Sequence, residues 1–185
     1  YIPTETAIAP NGDIYVADGF AKVNEGTLIG DRLANSIYSK SKRGVIFWGT
    51  VRNIQEIKKV DGFNGWILGD HPSSINEVML TSINAPIRIG DVTVLPGDVV
   101  YASPYGTLFF PAYLVGGIVL EAEISNLRHV YGIMRNKAGD WTTGQIDSDY
   151  SPQMTKEFYD HLRKMTDAEL PMPRKELNEY LDSHK

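Results

Sequence analysis

The short run Gly44-Val45-Ile46-Phe47-Trp48, closed by a second glycine at Gly49, constrains this chain more than any other segment. A continuous apolar run bounded by glycines is the pattern of a strand buried on both faces, and such strands sit in parallel sheets covered by helices. Its flanks repeat the theme. Upstream, Asp13 to Asp18 alternates Ile14 and Val16 against Tyr15 and Ala17 and ends at Gly19, a strand pattern. Between the two strands Ile29, Leu33 and Ile37 recur at spacing four, marking an amphipathic helix to about Lys42. Downstream, Asn53 reads as an N-cap with Glu56 three residues on, as in a capping box, and Ile54, Ile57 and Val60 give that helix an apolar stripe. Gly65-Trp66-Ile67-Leu68-Gly69 then reads as a further buried strand. Strand, helix, strand, helix, strand implies a parallel, right-handed βαβ arrangement and an α/β fold class.

The middle of the chain changes period. Short β-prone runs at Glu77 to Ile83, Pro86 to Ile89, Val92 to Leu95, Val99 to Ala102 and Thr107 to Phe110 are separated by turn residues. Gly90-Asp91 is a two-residue hairpin link, and Pro96-Gly97-Asp98 and Pro104-Tyr105-Gly106 are turns. These runs form a small β layer beside the central parallel sheet. A long helix follows from Ala112 to about Asn136, weakened at its start by Gly116-Gly117, then helices from Pro152 to Met165 and from Arg174 to Leu181. The expected organisation is one α/β domain over residues 1–140 and a C-terminal helical arm over 141–185.

With 185 residues and 42% apolar content the chain buries a real core. Its 18 basic residues are scattered among 23 acidic ones, without the stripe that nucleic-acid phosphates select, so direct RNA or DNA binding is not expected. The absence of cysteine removes disulfides, thiolate nucleophiles and zinc fingers. The longest run free of charged, amide, histidine, serine and threonine residues, Leu108 to Leu120, is 13 residues and contains Pro111, short of the roughly 20 a membrane span needs. A soluble protein is expected, cytoplasmic by default. The opening Tyr1-Ile2-Pro3-Thr4, without Met, reads as processed or trimmed and leaves export open.

Chemistry in such a fold gathers at the C-terminal ends of parallel strands. Gly26-Thr27-Leu28-Ile29-Gly30-Asp31-Arg32-Leu33 is a loop running into a helix, whose free N–H groups suit a carboxylate or phosphate; an ordinary strand-to-helix connection is the plainer alternative. Arg52 follows the buried strand, placed either to grip a carboxylate or keto oxygen or to pair with a surface acid. Twenty residues separate Asp31 from Arg52, the length of one helix, turn and strand, which brings both to one sheet edge. Asp70-His71 sits on a Pro-containing loop, and His129, His161 and His184 lack ligand spacing.

Asp followed after 20 residues by Arg-Asp is the signature of the RraA-like and 4-hydroxy-4-methyl-2-oxoglutarate aldolase family, and Asp31 with Arg52-Asn53 resembles it apart from the last residue. Gly12 to Gly19, Asn84-Ala85-Pro86-Ile87-Arg88-Ile89-Gly90 and Leu95-Pro96-Gly97-Asp98 are similar to that family too. Gly144-Gln145-Ile146-Asp147 followed by Ser151-Pro152 resembles its longer members. The resemblance implies the swivelling β/β/α fold of that family, with an additional region ahead of Asn11, and an assembly of three or six copies.

It further implies a metal-assisted carbon–carbon lyase acting on a small anionic 2-keto acid. Substrate would rest on Gly30 and on the N–H groups of Arg32 and Leu33, with Arg52 polarising the keto oxygen and Arg52 and Asp31 as the catalytic pair. A divalent cation, Mg²⁺ or Mn²⁺, would be held by Asp31 through water and by the residue at position 53. There the family's Asp is Asn53, a neutral amide, so metal affinity is expected to fall. The family also implies an alternative, a non-catalytic regulator that docks on ribonuclease E. No glycine-rich S-adenosylmethionine loop followed by a ribose-binding acid is present, which disfavours a methyltransferase.

Overall fold

A computed structural model describes residues 11–184. These residues form two compact units, one up to Ala112 and one from Tyr113 onward. In the first, β1 (Tyr15–Asp18), β2 (Val45–Val51) and β3 (Gly65–Asp70) form a parallel sheet in the order β1-β2-β3. Helix α1 (Asp31–Ser41) connects β1 to β2, and the four-residue α2 (Ile54–Ile57) lies between β2 and β3. The expected α/β class with a parallel sheet is the one observed.

The central run explains the arrangement. Six of the seven β2 residues are buried, and Val45, Phe47 and Val51 pack with Ile29, Ala34 and Ile37 from the α1 side and Ile57 of α2. Of the stripe read in the sequence, Ile29 and Ile37 are buried in this cluster and Leu33 packs against it half-buried. Phe47 occupies a slot left by missing side chains: a Cβ on Gly19 or Gly49 would stand 2.7 or 2.6 Å from its ring. The β2–β3 register shifts between Phe47 and Thr50, with one more residue on β2 than on β3. A bulge of this kind redirects the strand end, here the end that carries Arg52.

Several expectations are corrected. β3 is half exposed rather than buried on both faces, because among the described residues it has β2 on one side only and forms the sheet edge. Residues 77–83 form no strand; a β-prone run becomes a strand only when its backbone finds a ladder partner, and Met79 there is 81% exposed. The helix expected to begin near Asn53 and reach Val60 is a single turn. Asn53 does stand at its N-cap position, but with φ 57° and no side-chain cap, and Glu56 pairs with Lys59 instead of completing a capping box. The small β layer is two separate hairpins, β4 (Ile87–Ile89) with β5 (Val92–Val94) and β6 (Val99–Ser103) with β7 (Gly106–Phe110). The Gly90-Asp91 link is as expected, with Ile89 paired to Val92.

The second unit is helical. α3 (Val115–Lys137), α4 (Thr143–Ile146), α5 (Pro152–Lys164) and α6 (Arg174–Ser183) enclose a core of their own, built on Tyr131, Trp141, Phe158, Leu162, Leu177 and Leu181. The long helix thus groups with the C-terminal helices, and the two units divide at 112/113. Local capping is strong where the sequence permits it. Thr142 and Gln145 form a reciprocal capping box on α4, and Ser151 caps α5 ahead of Pro152 at its first position. Among the described residues no helix is long and apolar enough to cross a membrane.

Candidate functional site

The end of β2 and the start of α1 meet through a parallel bridge between Ile29 and Val51, fixed by Arg52 N–H donating to Ile29 O at 2.9 Å. This pairing brings residues 52 and 30 together. The Arg52 side chain lies across Gly30, so that a Cβ there would stand 3.1 Å from Nε and 3.2 Å from Cγ. Nη1 donates to Thr27 O at 2.8 Å. Arg52 makes no ion pair with an acid among the described residues, which removes the plainer reading of it.

Below the guanidinium, α1 begins at Asp31, and its first helical bond runs from Ala34 N–H to Gly30 O at 2.9 Å. The N–H groups of Asp31, Arg32 and Leu33 precede that bond and point out of the helix start, where the dipole favours negative charge. Asn53, in the left-handed conformation, donates its side-chain N–H to Asp31 Oδ1 at 2.7 Å. That amide holds the Asp31 carboxyl below the usual carboxylate range against opposing desolvation, helped by the N–H groups of residues 31 and 32 and the Arg32 charge. Gly30, Asp31, Arg32, Leu33, Arg52 and Asn53 therefore all lie at one sheet edge.

Two supporting residues carry no functional mark in the sequence. Thr27 is fully buried and its hydroxyl donates to Ser73 O. Ser73 in turn accepts Glu25 N–H at 2.7 Å and stands 2.8 Å from His71 Nδ1. The loop after β3 thus holds the Thr27 carbonyl that anchors Arg52. His71 is engaged with Ser73, while His161 packs on Tyr131 and His184 stacks on Tyr180. A cavity of about 1340 Å³ in the same unit is lined by β1, by the segment from Ile75 to Arg88 and by residues 93–100. It takes in Gly26 and Leu28 but none of residues 30–33 or 52, so the candidate site is a separate surface feature.

The implied divalent cation does not fit the donors present. Mg²⁺ asks for hard, mostly anionic oxygens in near-octahedral array. Here the carboxylate oxygen of Asp31 already accepts from Asn53, which turns its nitrogen rather than its oxygen toward the acid. No group of three His, Asp or Glu side chains able to hold a metal occurs among the described residues.

The Gly30 contact yields a clean test. Gly30 has φ −118° and ψ −178°, extended backbone that alanine adopts freely. If Arg52 holds a small planar anion such as oxalate, a mimic of the pyruvate enolate, Gly30→Ala is expected to leave the fold intact while pushing the guanidinium outward, weakening oxalate binding about tenfold by calorimetry. Unchanged affinity would show that Arg52 does not bind from this position.

Residues 4–108 match the family model described as RraA-like, Aldolase/RraA. A relative from Hahella chejuensis, which bears the provisional name 4-hydroxy-4-methyl-2-oxoglutarate aldolase, is 32% identical over 101 residues, covering 55% of this chain. The chain spans 60% of that relative's length. The RNA-processing inhibitor RraA from Thermus thermophilis is similar in structure with a TM-score of 0.53 and 25% identity, over 58% of this chain and 64% of that one. An uncharacterized protein from Pseudomonas syringae pv. tomato shares the fold at a TM-score of 0.65 and 21% identity, over 76% of this chain and 69% of its own. With the family model covering more than half its residues, the chain belongs to the RraA-like family.

Proposed function

We propose that the start of α1 and Arg52 together hold a small 2-keto acid, and that the protein is a carbon–carbon lyase which cleaves it to pyruvate. One observation carries the reading: a guanidinium free of any acid among the described residues lies over Gly30, beside N–H groups that precede the first helical bond. The substrate carboxylate rests on Arg32 and Leu33 N–H, taking the place of the Asp31 carboxyl on the former, and the keto oxygen faces the Arg52 fork. When the C3–C4 bond breaks, its electron pair passes into the enolate and negative charge grows on that oxygen; the C4 hydroxyl gives its proton to solvent as C4 becomes the second carbonyl, or carbon dioxide leaves from oxaloacetate, and a solvent proton added at C3 completes pyruvate. Arg52 is positioned in advance to accept this charge, a contribution typically worth about 10²–10³ in rate. No step is routed through a metal. The aldolase name of the Hahella relative supports the substrate class.

The assay is pyruvate release from 4-hydroxy-4-methyl-2-oxoglutarate and from oxaloacetate, with and without Mg²⁺. Release from either, falling about 10²-fold or more in Arg52→Ala, is expected. No release from the native chain under any condition contradicts the lyase reading. The name of the Thermus neighbour, an RNA-processing inhibitor, supports a second reading, a non-catalytic regulator of the ribonuclease-inhibitor type. Inhibition of ribonuclease E by the native chain and equally by Arg52→Ala, with no lyase activity, would select it. Either role is proposed for a trimer or hexamer; light scattering should return three or six copies, and a monomer would count against both.

A further inference from the structure

We propose that this site takes its small anion without a divalent cation, and that Asn53 is the residue that sets this selectivity by occupying the carboxylate a cation would need. The inference rests on the proposed function for what binds, but not for what is kept out.

Three observations converge on position 53. Its Nδ2 donates to Asp31 Oδ1 at 2.7 Å. The opposite amide orientation would set a carbonyl oxygen against a carboxylate oxygen, so the assignment of nitrogen follows from the neighbour itself. An amide offers a given partner either its N–H or its oxygen, and here the N–H is committed. The second observation is charge. Arg32 and Arg52 bring two positive charges to a site whose only acid among residues 30–33, 52 and 53 is Asp31. These six residues therefore sum to one positive charge, which favours an anion over a dication at this end of the strand. Third, Asn53 has φ 57°, a conformation that Asn and Asp tolerate better than other side chains. Exchange of Asn for Asp at this position is thus open on backbone grounds, and what changes is the electrostatics: the donor to Asp31 becomes a second carboxylate beside it.

The pair Asp31–Asn53 resembles a carboxylate pair with one acid replaced by a hydrogen-bond donor. In a two-acid site the like charges require a counter-ion between them. In this one the amide supplies the positive edge internally. The same substitution leaves Arg52 and the N–H groups of α1 as the groups that contact the anion.

The experiment uses the full chain, stripped with EDTA and desalted. Mn²⁺ alone is titrated and bound ion read by electron paramagnetic resonance; oxalate affinity is measured by calorimetry in EDTA and in Mg²⁺. The native chain should show no saturable Mn²⁺ binding, and its oxalate affinity should agree within about twofold in the two buffers. Asn53→Asp should acquire one Mn²⁺ per chain, and its oxalate affinity should become at least about tenfold stronger with Mg²⁺ than with EDTA. One Mn²⁺ per native chain, or an Asn53→Asp protein that folds by circular dichroism yet binds no Mn²⁺, overturns the assignment. Should Asn53→Asp not fold, the native Mn²⁺ titration decides it. If native oxalate binding is absent in both buffers, the proposed function fails, while the Mn²⁺ titrations still decide the role of Asn53.

Discussion

Arg52→Ala is expected to weaken oxalate binding by about 10²-fold or more while the protein stays folded. Hydrogen bonds to charged groups contribute about 1.5–3 kcal/mol each, and a guanidinium can offer two in parallel to a planar acid. The Thr27 carbonyl loses its donor in the variant, a cost of about 1 kcal/mol that the fold should bear. Arg52→Lys separates charge from geometry. Lysine keeps the positive charge but cannot both reach Thr27 O and present a fork, so it should recover little of the lost affinity. Calorimetry on the three proteins, with circular dichroism as the control for folding, gives the answer. Full binding by Arg52→Lys would mean that charge alone matters and that the packing on Gly30 is incidental.

Phe47→Ala should have the largest effect on stability, about 3–5 kcal/mol. The side chain is 2% exposed, sits at the centre of β2 and fills the gap beside Gly19 and Gly49. Since neither glycine has a side chain that can move inward, the cavity left by alanine cannot be closed from those positions. Marginal stabilities of about 5–15 kcal/mol make this a large fraction of the whole. Urea denaturation followed by tryptophan fluorescence is a suitable readout, as Trp48 and Trp66 lie in the same unit as Phe47 and Trp141 lies in the other. A cost below about 1 kcal/mol would show that β2 is not the centre of this core. Anion binding should be lost along with the strand, but unlike in Arg52→Ala the loss should track unfolding.

The parts legible in the sequence are those decided by neighbours along the chain. The glycine-bounded run from Val45, the Ile29–Leu33–Ile37 stripe and the Gly90-Asp91 link each state a local preference that the fold satisfies. The spacing of Asp31 and Arg52 placed them at one sheet edge, where both are found. What the sequence concealed depends on distant partners. Asn53 looks like an N-cap in one dimension, yet its side chain bonds to Asp31, 22 positions earlier, and its backbone is left-handed. The anchor of Arg52 is the carbonyl of Thr27, and no residue type announces a backbone oxygen. Gly65 to Gly69 resembles a buried strand in composition, but its burial depends on whether another strand lies beyond it, and none does among the described residues. The run 77–83 has the composition of a strand without a partner to pair with.

A crystal of the native chain soaked with oxalate in the presence of EDTA is the most direct measurement. The planar dianion should lie with one carboxylate on Arg32 and Leu33 N–H and oxygen atoms of the other against the Arg52 guanidinium. Oxalate bound elsewhere, with Arg52 still lying over Gly30 and the α1 start bare, would contradict the account.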